Sequence, residues 1–86
     1  MKKNLKDLNT MHDLLKQCRP NAVLFDFIWD EDDAVMLYID KMDLITPYVI
    51  GRFARVGSGV HTHEERYDNA YDCSCAFGDL RQEVTI

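Results

Sequence analysis

His61-x-His63 and Cys73-x-Cys75 are the residues best spaced for chemistry, and both pairs fall in the stretch from Val60 to Phe77. Side chains two apart on a β-strand share a face. If both pairs lie on strands joined by a turn at Asp68-Asn69, two imidazoles and two thiolates approach a tetrahedral zinc site. Glu64, Glu65, Asp68 and Asp72 would then orient the imidazoles. The C-x-C spacing is tighter than the C-x₂₋₄-C of structural zinc sites. In the competing reading the cysteines are small core residues beside Tyr71 and Phe77, and the histidines are exposed.

The same residues also suggest a nucleophile, with Cys73 or Cys75 activated by His61 or His63. The surrounding carboxylates argue against it, because they raise a thiol pKa where a nucleophile needs it lowered. No catalytic residue is assigned, and a non-enzymatic protein is expected.

Carboxylates form a third constellation. Asp30, Glu31, Asp32 and Asp33 are consecutive; Glu64, Glu65 and Asp68 form a second group, with Asp40, Asp43, Asp72, Asp79 and Glu83 beside or between them. Rows of carboxylates on strands imitate a phosphate track and steer association with a basic surface. In the bland reading they supply solubility.

The whole chain favours binding over catalysis. Its 86 residues make one domain, 1–86, small for a cofactor cleft. The net charge of −5 is uneven: residues 1–20 carry five cations and two acids, +3, while residues 21–86 carry five cations and thirteen acids, −8. An acidic body repels nucleic acid directly but suits a protein that presents a basic surface. Three cysteines argue against a disulfide framework and for a reducing, cytoplasmic setting. After Met1-Lys2-Lys3, the polar residues Asn4, Lys6, Asp7 and Asn9 replace the apolar stretch a signal peptide needs. The longest apolar run, Ala34 to Ile39, is too short to cross a bilayer.

Several elements must position these groups. Asn4 to Cys18 reads as an amphipathic helix: Leu5, Leu8, Met11, His12, Leu14, Leu15 and Cys18 make its stripe, Asn4 caps it and Pro20 follows its end. Ala22 to Trp29 reads as a strand, with Val23, Phe25, Phe27 and Trp29 on one face and Asp26 on the other at a sheet margin. Asp30 to Asp33 is a four-residue acidic turn leading to a strand over Ala34 to Asp40. Thr46-Pro47 predicts a short second helix near 47–56, and an edge strand over Leu44 to Ile50 competes with it. Val60 to Tyr67, Ala70 to Phe77 and Leu80 to Ile86 read as strands, the last docked in the sheet and offering a pairing edge for a homodimer.

These readings give an α+β fold: an N-terminal amphipathic helix on a mostly antiparallel sheet of about four to five strands. The expected function is a small acidic binding protein that engages a basic surface of a protein partner. Inhibitors and nucleic-acid mimics of phage or mobile-element type, including anti-defence proteins, share its size and charge. The alternative is a zinc-stabilised domain using His61, His63, Cys73 and Cys75.

Overall fold

A computed structural model describes residues 8–30 and 33–85. The elements run α1 (Leu8–Cys18), β1 (Ala22–Asp30), β2 (Asp33–Asp40), β3 (Tyr48–Val56), β4 (Gly59–Tyr67) and α2 (Ala70–Thr85). The four strands form one antiparallel meander, ordered β1-β2-β3-β4, so β1 and β4 are its edges. The fold is α+β, as the sequence predicts.

Strand alternation sends β2 and β3 side chains to two faces, and one helix covers each. Ala34, Met36, Tyr38, Val49 and Phe53 pack with Met11, Leu14 and Leu15 of α1. Val35 and Ile50 pack with Cys73 and Phe77 of α2, flanked by Leu37, Tyr48, Ala76 and Leu80. Met11, Leu14 and Leu15 are fully or almost fully buried. Burial of each contributes about 1.5–3 kcal/mol, which holds a short helix that is marginal by itself. The helix ends as expected: the Lys16 ammonium donates to the carbonyls of Pro20 and Ala22, at 3.2 and 2.9 Å. Leu8 is exposed, so the buried stripe is narrower than predicted. Asn4, the predicted cap, and Leu5 lie outside the described residues.

β1 keeps its strand but not one uninterrupted alternation. A bulge between Leu24 and Asp26 makes Phe25 an extra residue, and Phe25 is exposed. The bulge resets the alternation, so Leu24, Phe27 and Trp29 all join the α1 core. Asp26 is exposed at the sheet margin, as predicted, and there it pairs with Arg81 of α2. The Arg81 guanidinium also lies 5.4 Å from the centroid of the Phe77 ring, so one side chain ties α2 to β1.

The hairpin between β1 and β2 is tighter than expected. Asp30 and Asp33 pair across the ladder, leaving a two-residue connection at 31–32 rather than a four-residue turn.

The predicted helix near 47–56 is strand β3. Tyr48, Val49, Ile50, Phe53 and Val56 are β-branched or aromatic, and hydrogen-bonding partners on both sides complete the case for a strand. Pro47 stands just before β3, where its missing N–H costs nothing, and its carbonyl accepts from the Asp40 N–H at 2.8 Å. β3 and β4 are joined by Gly57-Ser58, and Gly57 takes φ of 62°, which a tight two-residue hairpin turn requires.

The two predicted strands after residue 70 are one helix, α2. Cys73, Ala76, Phe77 and Leu80 follow helical spacing and make its buried stripe. The alternation of Tyr71, Cys73, Cys75 and Phe77 is coincidental, since Tyr71 and Cys75 are exposed. Asn69 caps the helix. Its Oδ1 accepts from the Asp72 N–H at 2.8 Å, and its Nδ2 donates to the Asp72 carboxylate at 2.9 Å. The pairing edge expected at residues 80–86 is therefore absent over 80–85, which are helical; residue 86 lies outside the described residues.

Candidate functional site

The helical geometry of α2 separates the two cysteines. Residues two apart on a helix point roughly 200° from each other. Cys73 is buried against the sheet, while Cys75 is exposed. His61 and His63 do share a face of β4, opposite Ala54 and Arg52, and both are exposed. The four side chains predicted to converge therefore do not. Among the described residues, no group of three or more His, Cys, Asp or Glu side chains is placed to hold a metal ion. Burial pushes the Cys73 thiol up to about 11, which keeps it protonated at neutral pH.

The predicted partner-facing acids divide. Glu31 and Asp32 lie outside the described residues, and of Asp30 only the backbone is described. Asp33 is half-buried at the end of the hairpin. Glu65 and Asp68 are exposed, as a docking role requires. Glu64 is turned inward and belongs to a network that the sequence did not suggest.

That network crosses the α1 face of the sheet. The Tyr38 hydroxyl donates to Glu64 Oε2, and Arg19 Nε donates to the same oxygen at 2.9 Å. Arg66 stands 3.4 Å from the other Glu64 oxygen, 2.9 Å from Asp40 and 3.3 Å from Asp43. Arg19 follows α1, Tyr38 and Asp40 lie on β2, Asp43 on the next loop, and Glu64 and Arg66 on β4. The network therefore ties four segments together. Burial raises the Glu64 pKa, but the bonds from Arg19 and Tyr38 and the nearby guanidinium charges outweigh it, leaving the carboxyl below its ordinary value. Burial and the bond to Glu64 push the Tyr38 hydroxyl well up. Glu64 is held ionised and Tyr38 neutral, so neither is poised to exchange a proton near neutral pH.

The β2–β3 loop hangs from this network. Asp43 accepts from the Ile45 and Thr46 N–H groups, both at 2.9 Å, and from the Thr46 hydroxyl at 3.0 Å. These bonds, with Arg66 beside it, hold the Asp43 carboxyl below its ordinary value. With its backbone fixed, the loop displays Met42, Leu44 and Ile45, which are 73%, 91% and 81% exposed. Three large apolar side chains thus stand well into solvent on one short loop.

Compared with family models, curated proteins and solved structures, the chain has no significant match.

The structure sorts the acids into two classes. Asp26, Asp40, Asp43 and Glu64 each have an arginine partner. Glu65, Asp68, Asp72, Asp79 and Glu83 are exposed, and none has a Lys or Arg partner among the described residues. Asp72, Asp79 and Glu83 recur at helical spacing on one flank of α2, about half a turn from Arg81. Asp68 lies two residues before the helix and Glu65 two residues before the end of β4. The sequence reading named Glu65 and Asp68 but missed the α2 row, because a strand over 70–77 hides the seven- and four-residue spacing.

Proposed function

We propose that this chain is a non-enzymatic binding protein that engages a basic surface of a protein partner. The supporting observation is the row of carboxylates on one flank of α2 with no Lys or Arg partner among the described residues, continued by Asp68 and Glu65. Five exposed negative charges attract a cationic surface and raise its association rate. The apolar loop at Met42, Leu44 and Ile45 supplies desolvated contact area that charge does not, as protein interfaces need. The finer reading is an inhibitor that occupies a nucleic-acid groove, with the acidic row standing in for phosphates.

Capture from a cell extract tests both levels. A partner retained at low salt, released at high salt and lost to the D72K/D79K/E83K variant supports the charged interface. Competition by added duplex DNA supports the mimic. Retention that neither salt nor the triple variant alters counts against an acidic interface.

A further inference from the structure

We propose that the outer edge of β4 takes up an extended basic segment of a partner protein as a fifth, antiparallel strand, a reading that rests on the acidic interface proposed above. β4 is an edge of the meander, and no strand among the described residues lies beyond it. The two-residue connection at Gly57-Ser58 makes Val56 and Gly59 a hydrogen-bonded pair, and such pairs alternate along an antiparallel ladder. Gly59, His61, His63, Glu65 and Tyr67 therefore spend their main-chain groups on β3, while Val60, Thr62, Glu64 and Arg66 turn theirs outward. An outward row of this kind is a template for another chain.

The two edges of the sheet are not equivalent. β1 is bulged at Phe25, which interrupts its outward row. β4 pairs with β3 over all nine of its residues without a break in register, and it contains no proline. It is the uninterrupted template.

Charge selects the occupant. From one flank of α2, Arg81 reaches Asp26 on β1, so the row of Asp72, Asp79 and Glu83, about half a turn away, lies on the β4 side. Tyr67 packs into the α2 core and Leu80 shares a crevice with His63, so α2 runs back along β4 and carries the row beside it. Side chains of a fifth strand alternate between the two faces. Those on the α2 face would rise beside Glu65 and the acidic row, which suits lysine or arginine. Those on the α1 face would lie beside Val60 and Thr62, which suits a β-branched residue. Arg52 shares the α2 face but sits one strand further in. A second copy of β4 fits less well, because two-fold pairing would set two acidic rows against each other. In the basic complex, main-chain bonds supply the affinity and the alternate side chains the specificity.

The probe is a peptide of alternating lysine and valine, titrated into the full chain at low salt and followed by amide resonances. With its lysines on the α2 face of an antiparallel pairing, its valine N–H groups point at β4 and its lysine N–H groups point away. Saturable shifts at the Val60, Thr62, Glu64 and Arg66 amides are expected, kept when the lysines are N-methylated and lost when the valines are. T62P removes one outward N–H without touching the ladder to β3 and should weaken binding roughly tenfold. Equal binding of the two N-methylated peptides overturns the edge pairing and leaves the acidic interface standing. Failure of every lysine peptide to bind overturns both. Shifts of the same amides with concentration of the protein alone overturn the choice of partner and point to a second copy. The peptide comparisons use the unaltered protein and hold even if T62P does not fold.

Discussion

The Tyr38 hydroxyl reaches Glu64 from two strands away by passing over Gly51, which pairs with Glu64 on β4. A Cβ at Gly51 would lie 2.9 Å from Tyr38 Cε1 and 2.8 Å from Phe53 Cε1. Both rings are fully buried and pack at 6.2 Å between centroids. G51A should therefore destabilise the protein by about 1–3 kcal/mol through overpacking. Urea unfolding measures this; an unchanged midpoint would show that the rings move aside freely.

The Tyr38–Glu64 bond joins a neutral donor to a carboxylate, and such bonds contribute about 1.5–3 kcal/mol. Y38F and E64Q should each lower stability, and the double variant should lose less than the sum of the two. Additive losses in the double-mutant cycle would mean that the two side chains act independently.

Stability should fall at both pH extremes because of this pair. Glu64 has a folded-state pKa below its ordinary 4.5, so its contribution is full above that pH and is lost as pH drops through the lower folded value. Tyr38 has a folded-state pKa above its ordinary 10.0, so its contribution is full below pH 10.0 and is lost as pH rises towards the folded value. E64Q should flatten the acid limb of a stability–pH profile and Y38F the alkaline limb. Profiles for both variants that run parallel to the unaltered protein would exclude this linkage.

The cysteines should differ in reactivity. Cys75 is exposed, while Cys73 is buried with its thiol pushed up to about 11. Iodoacetamide near pH 8 should modify Cys75 first and leave Cys73 until the protein unfolds, as peptide mass spectrometry would show. Early labelling of Cys73 in the native protein would contradict the packing of α2.

Asn69 should be worth more than its place in a turn suggests. N69A removes the cap of α2 and should cost about 0.5–2 kcal/mol, whereas N69D should be tolerated. Thermal unfolding of the two variants distinguishes a cap from an ordinary surface residue, for which both substitutions would be neutral.

Local sequence pattern was enough for α1, β1 and β2, because each has an apolar periodicity with one dominant reading, and for β4, because turn residues at Gly57-Ser58-Gly59 and Asp68-Asn69 bound it. It also revealed the acidity of residues 21–86 and the exposure of Glu65 and Asp68, since a charge excess follows from composition alone. Tertiary structure decided the rest. Tyr48–Val56 has apolar residues that satisfy both a strand and a helix, and partners on either side made it a strand around Gly51. Ala70–Thr85 alternates over its first half, yet burial of Cys73, Ala76, Phe77 and Leu80 against the sheet required a helix. The one local signal for it was Asn69 with Asp72 three residues on, a cap that reads equally as a turn. That choice separated Cys73 from Cys75 and aligned Asp72, Asp79 and Glu83. Glu64 shows the same limit: its neighbours in sequence are exposed, and only the fold brings Tyr38 of β2 and Arg19, which follows α1, to its carboxylate beside Arg66 of its own strand.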